Sequence, residues 1–175
     1  ITIAARFVVD VQTVVSREKD PKEFGVVTIG AINGGTVGNI IPDNVQVRGT
    51  IRSYSPAVRA KLLEGVRRVG NASAAMAGAP APDVQLISGG AAIVNSEALV
   101  KKTEAVFKDA FGAANAQRMP AMTASEDFSL FVNEGIPSMF FFTGVYDPKA
   151  VQGAERPGGK PIAFNHSPFY APVPG

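Results

Sequence analysis

From Val45 to Arg52 the chain alternates strictly, with Val45, Val47, Gly49 and Ile51 on one side and Gln46, Arg48, Thr50 and Arg52 on the other. Period two over this length specifies a strand with one apolar and one polar face, and the apolar face has to be covered. The flanking segments supply neighbours and cover. Phe24 to Ile32 is β-branched and reads as a strand turned by Asn33-Gly34-Gly35. Before it, Ile3, Phe7, Val8, Val11, Val14 and Val15 recur at helical spacing, so residues 1 to about 17 read as an amphipathic helix that Lys19-Asp20-Pro21 stops. After it, Ser55-Pro56 opens a helix over about 56–77 with Val58, Leu62, Val66 and Val69 as its stripe. Gly78, Pro80 and Pro82 end that helix, and Val84 to Ile87 reads as a short strand.

Helix, strand, strand, helix, strand is the order of a split βαβ, or ferredoxin-like, unit without its first strand. The expected class is therefore α/β (α+β). A chain that is helical from Ile1, with no capping residue in front, also reads as a piece of something longer. Beyond Gly89-Gly90 the organisation changes. Ser96 opens a third helix carrying Leu99, Val100, Val106, Phe107 and Ala110, closed by Gly112, and Ser125-Glu126-Asp127 offers a start for a short fourth. Ser138 to Thr143 is apolar and aromatic without alternation, the signature of a strand buried on both faces. Residues 145–165, with Pro148, Gly153, Pro157, Gly158, Gly159 and Pro161, read as a long irregular loop that delivers His166.

Composition narrows the function classes. The 175 residues are 46% apolar and 18% charged, enough to bury a core and too apolar for global disorder. Seventeen Lys and Arg against fifteen Asp and Glu leave +2 without a basic block, which gives nucleic-acid binding no electrostatic footprint. Cysteine is absent, so any metal must be held by His, Asp or Glu. No apolar run reaches the roughly 18 residues of a membrane span, and the N-terminus lacks a signal-peptide pattern. A soluble protein with no membrane partner is expected, in the cytoplasm or the periplasm.

Few residues offer chemistry. His166, the one histidine, sits in Asn165-His166-Ser167-Pro168, where it can bind a metal or act as a base, or simply be a hydrogen-bonded loop histidine. Ser125, Glu126 and Asp127 combine a hydroxyl with two carboxylates, which suits capping as well as contact with a substrate. The glycines at 34, 35 and 38 fail as a phosphate cradle, because a strand follows and no Lys-Ser/Thr pair closes the loop. Arg52, on the polar face of a strand whose entrance carries Asn39, can hold a carboxylate bidentately or merely cover an open sheet.

Four segments in order carry a resemblance: Gly35-Thr36-Val37-Gly38-Asn39-Ile40-Ile41-Pro42-Asp43, Gly49-Thr50-Ile51-Arg52, Met122-Thr123-Ala124-Ser125-Glu126-Asp127-Phe128, and His166-Ser167-Pro168. Together they resemble the dinuclear-metal aminoacylase/carboxypeptidase family of metallopeptidases, closest to the amidohydrolases that include hippurate hydrolases and indole-acetyl-amino-acid hydrolases. The resemblance implies a ferredoxin-like lid domain over residues 1–90, lacking its first strand, and the C-terminal part of an α/β zinc-peptidase catalytic domain over 91–175. It implies His166 as a metal ligand, Asn39 and Arg52 as lid residues that reach a substrate carboxylate, often in the partner subunit's site, and Ser125 and Glu126 beside the metals. Two divalent ions are implied, zinc first, with manganese, cobalt or nickel as alternatives. The implied substrate is an N-acyl amino acid or short peptide, and the implied assembly a homodimer through the lid.

The family's remaining ligands and its general-base glutamate would lie upstream of Ile1, so the polypeptide alone is expected to be inactive and to hold no metal. Two other readings stand beside this one. A free-standing ferredoxin-like binding or dimerisation module would need no upstream metal motifs. A serine hydrolase built on Ser167 or Ser125 with His166 is disfavoured, because no Gly-x-Ser-x-Gly elbow is present.

Overall fold

The first helix, α1 (Thr2–Asp10), continues through Val11 into a wide π-helical turn at Val14–Glu18. The expected single helix is thus a helix plus a widened turn. The widening coincides with a close approach to α2 (Pro56–Ala75): Val14 is fully buried, and a Cβ on Gly65 of α2 would overlap its γ-methyls. Glu18, at the end of the turn, pairs with Arg68 of α2, while Lys61 Nζ donates to its carbonyl at 2.9 Å. The computed structural model describes residues 1–87, 89–124 and 126–172.

Local signals account for α2. The Ser55 hydroxyl accepts from the Val58 N–H at 3.4 Å and Pro56 occupies the first turn. At the other end the Ala79 N–H reaches the Ala74 carbonyl and the Gly78 N–H the Ala75 carbonyl, with Gly78 at φ +66°, a Schellman closure that needs the glycine.

Strands β1 (Gly25–Asn33) and β2 (Gln46–Ser53) pair antiparallel, from Gly25 opposite Ser53 to Asn33 opposite Gln46. Val27 faces Ile51 across the ladder, and with Ile29 they meet Val11, Val14, Val58, Leu62 and Val69 in one core. Both helical segments therefore cover the same face of the hairpin, as their apolar stripes require. Val27 and Ile29 are odd-numbered and Ile32 is even, so an unbroken strand would turn Ile32 to the polar side. Instead the register shifts between Ile29 and Ala31, Gly30 is the extra residue of a bulge, and Ile32 pairs with Val47 on the apolar face.

Gly65 sets the spacing of the two helices. Gly65→Val is expected to lower stability by about 2 kcal/mol, the scale of overpacking a filled core. Adding Val14→Ala should recover part of it in denaturant unfolding, and additive losses would show that the two positions do not touch.

Two expected strands do not form. Residues 84–87 have no ladder partner and Ile87 is almost fully exposed. A strand needs another to take its backbone hydrogen bonds, and among the described residues none pairs with this segment. Ser138–Thr143 is likewise irregular, with Phe141 and Phe142 exposed, because a strand buried on both faces needs neighbours and the only sheet among the described residues is the hairpin.

The third helix, α3 (Glu97–Phe111), follows Ser96 and ends at Gly112 with φ +83°. None of its residues is fully buried, and Val106 and Phe111 are exposed. Glu104 on α3 accepts from Lys108 at 2.6 Å and from Arg118 at 2.7 and 2.9 Å. Those bonds, Lys108's first, hold its carboxyl down at about 2, against an ordinary 4.5. The folded state thus binds this proton less tightly than the unfolded one. The pair's contribution is complete above about pH 4.5 and is lost as pH falls towards about 2. Acid titration of stability should lose this component in Glu104→Gln, and an unchanged acid limb would rule it out.

The short helix expected at Ser125–Asp127 forms later, as α4 (Ser129–Asn133). The chain divides into two compact units, Ile1–Met139 and Phe140–Gly175. In the second unit the expected irregular loop contains a helix, α5 (Pro148–Glu155), capped by Asp147, whose carboxylate accepts from the Lys149 and Ala150 N–H groups. The Tyr146 hydroxyl donates to the Ala163 carbonyl at 2.6 Å, and its ring meets Tyr170 edge-on.

Candidate functional site

Arg52 lies opposite Val26 near the end of β2, with an exposed side chain. Beyond it Tyr54 stacks on Phe24 at 4.5 Å between ring centroids, tying the strand ends together. The Arg52 Nη1 donates to the Thr123 carbonyl at 2.6 Å, across 71 residues of sequence. The fold therefore brings Arg52 to the Met122–Asp127 motif. Within that motif Glu126 is exposed, and its Oε1 accepts from the Asp127 N–H at 2.9 Å. Ser125 lies outside the described residues.

Asn39 is exposed in the 34–45 connection, where Gly34 packs on Val45 and Gly35 turns at φ +71° over Pro42. That connection joins the ladder at Asn33 and Gln46, the opposite end from Arg52. About 20 Å of strand separates Arg52 from the loop's attachment, at 3.4 Å per residue. The hairpin itself does not bring the two side chains to one point.

His166 is exposed in the second unit. The Ser167 N–H donates to the Phe164 carbonyl, which makes His166 the third residue of a tight turn, and its φ is +71°. That position favours glycine or asparagine, and among the described residues no other non-glycine has a positive φ. A second turn follows at once: Tyr170 N–H donates to the Ser167 carbonyl and Phe169 N–H to the Ser167 hydroxyl at 3.2 Å. Left-handed backbone at a histidine persists where surrounding structure holds it, and such positions cluster at functional sites.

The described residues contain no group of three or more His, Cys, Asp or Glu placed to hold a metal ion. They do not by themselves fit a two-ion centre. Sequence reasoning missed two members of this region. The Thr123 carbonyl carries no side-chain signal. Ser129, fully buried with an unpartnered hydroxyl, faces Gly90, where a Cβ would lie 2.5 Å from its Oγ.

No family model matches the chain. Among curated proteins it is similar to the "Uncharacterized hydrolase y4tI" of Sinorhizobium fredii, 36% identical over 157 residues, covering 90% of this chain and 39% of that protein. It is 35% identical over 167 residues to the "N-acetyldiaminopimelate deacetylase" of Streptococcus thermophilus, covering 94% of this chain and 43% of the relative. The "IAA-amino acid hydrolase ILR1-like 2" of Arabidopsis thaliana is 33% identical over 174 residues, or 97% of this chain and 36% of the relative. The chain thus spans about two fifths of the length of the curated relatives it matches. "The crystal structure of a putative aminohydrolase from methicillin resistant Staphylococcus aureus" superimposes with a TM-score of 0.65 at 28% identity, over 75% of this chain and 34% of that one. The curated relatives match 90–97% of this chain, and on these matches the chain belongs to the amidohydrolase branch of the aminoacylase/carboxypeptidase family.

Proposed function

We propose that Ile1–Gly175 is the lid and the C-terminal catalytic segment of a metal-dependent amidohydrolase that cleaves the amide bond of N-acyl amino acids or short peptides. The observation that carries this reading is the shared chemistry of the relatives: one is named for deacetylating an N-acetyl amino acid, the other for hydrolysing an amino-acid conjugate. In both cases the amide nitrogen belongs to an amino acid, whose carboxylate gives a guanidinium something to hold. Arg52 is that guanidinium, and Asn39 reaches substrate from the far end of the hairpin, which suits a site completed by a second subunit.

Exposed surface supports the reading of the chain as a part. Its solvent-accessible area is 13,408 Å². A compact monomer of this mass exposes about 8,100 Å², and two separate bodies of 139 and 36 residues about 9,400 Å². Large apolar side chains lie on that surface, with Ile87, Phe111, Phe141 and Phe164 all open to solvent. In the proposed enzyme these residues meet the remaining catalytic domain, and the hairpin edge meets a second lid.

His166 is the imidazole this chain offers to a metal centre, and the other ligands and the general base come from outside Ile1–Gly175. The bound ions, zinc first, would supply an acidified water for attack on the amide carbonyl. The test is hydrolysis by the full-length protein of N-acetyl amino acids against their carboxamides, with and without chelator. Activity that ignores both the chelator and the free carboxylate would overturn the proposal.

A further inference from the structure

Ser129 is fully buried, and its hydroxyl meets no hydrogen-bond partner. An unpaired buried hydroxyl is a cost that alanine would avoid, so what the oxygen contributes there is the space it fills. That space lies against Gly90. A Cβ on Gly90 would stand 2.5 Å from the Ser129 Oγ, about 1 Å inside ordinary contact, and 3.5 Å from the Glu126 carbonyl oxygen. No left-handed φ calls for glycine at this position, so the missing side chain serves the close approach. The turn on the other side of the contact begins at Glu126. The Ser129 N–H donates to the Glu126 carbonyl at 3.4 Å, the Leu130 N–H to that of Asp127 at 3.0 Å and the Phe131 N–H to that of Phe128 at 3.2 Å, a tight coil that runs into α4. The Glu126 carboxylate is fastened to the same coil through the Asp127 N–H. Further along, the Ser96 N–H donates to the Ser138 carbonyl at 2.8 Å, which ties the stretch after Gly90 to the stretch after Ser129 at a second point.

We propose that Gly90 and Ser129 are positioning residues for Glu126: the Ser129 hydroxyl, seated where Gly90 has no side chain, fixes the start of the coil and with it the place of the Glu126 carboxylate in the active site. The inference rests on the proposed amidohydrolase and takes Glu126 as part of its site. Filled interiors pass a displacement on instead of absorbing it. A methyl group at residue 90 would push Ser129 away by the depth of the overlap, and Glu126 lies three residues back along the same hydrogen-bonded coil. A displacement of about 1 Å at a reacting group costs on the order of 100-fold in rate. Neither Gly90 nor Ser129 needs to touch the substrate, since both act through where Glu126 stands.

The test is steady-state hydrolysis of N-acetyl amino acids by the full-length protein. Gly90→Ala should lower kcat by about 100-fold with KM little changed, the pattern of a group misplaced in the transition state. Adding Ser129→Ala should recover most of that loss, because the new methyl then meets the Cβ of residue 129 at 3.7 Å, an ordinary contact. Glu126→Gln should itself be slow, and in that background Gly90→Ala should cost nothing further, which general damage to the fold would not reproduce. Ser129→Ala alone loses only an unpaired hydroxyl and so keeps the fold; the gap it leaves beside Gly90 should give a smaller loss of kcat, again absent in Glu126→Gln. Where Gly90→Ala does not fold, this variant carries the same comparison. An active wild type with Gly90→Ala as fast, with no recovery in the double variant, or with Glu126→Gln undiminished would overturn the inference alone. A wild type that hydrolyses no N-acetyl amino acid would sink the proposed function, and the inference with it.

Discussion

Replacing His166 by alanine in the full-length protein is expected to lower amide hydrolysis at least about 100-fold, with a parallel fall in bound metal and no loss of fold. Removing even an outer partner of a metal ligand costs 10- to 100-fold, and a ligand more. The fold should survive because His166 is exposed and lies outside the core of Val11, Val14, Val27, Val58, Leu62 and Val69. The backbone supplies a control that separates the two roles. At φ +71° a glycine is at ease where histidine is strained, so His166→Gly should raise the melting temperature slightly, by the equivalent of about 1 kcal/mol, while losing as much activity as the alanine variant. Full metal content with undiminished turnover in His166→Ala would reduce the residue to a turn element.

The second large effect is expected at Arg52. Arg52→Ala should raise KM for N-acyl amino acids by about 10- to 100-fold and lower kcat less, because a charged hydrogen bond worth about 1.5–3 kcal/mol is lost from the ground state and transition state alike. Carboxamide substrates should lose little binding. Since Arg52 also holds the Thr123 carbonyl, a small fall in kcat common to both substrate types would measure what the segment's position is worth. Equal, large losses on acid and amide would mean that Arg52 serves the protein backbone and not the substrate.

What was legible in the sequence divides along physical lines. The hairpin, its buried face and α2 were legible because alternation, a serine cap and Pro56 act within a few residues of where they are read. The apolar stretches at 84–87 and 138–143 announce burial, but a strand exists only when another strand accepts its hydrogen bonds, and apolar composition cannot supply one. Helix α5 was hidden by the density of Gly and Pro around it, although Asp147-Pro148 is a helix start of the same kind as Ser55-Pro56. Among the site residues, Arg52 was legible by chemistry. Its attachment to Thr123 was not, since every residue but proline offers the same backbone groups and only the fold chooses among them.

The bulge at Gly30 bears on how the length of this hairpin can vary in evolution. A ladder with one dry and one wet face keeps a parity, and a single inserted or deleted residue inverts everything beyond it. Gly30 already uses one such inversion to bring Ile32 beside Val47. Related chains should therefore gain or lose residues within β1 two at a time, or pair each single change with a second bulge or the loss of this one. The 34–45 connection lies beyond the last rung at Asn33 and Gln46, so its length is free of that arithmetic. A gap of one residue is a silent edit in the connection and a change of face in the strand.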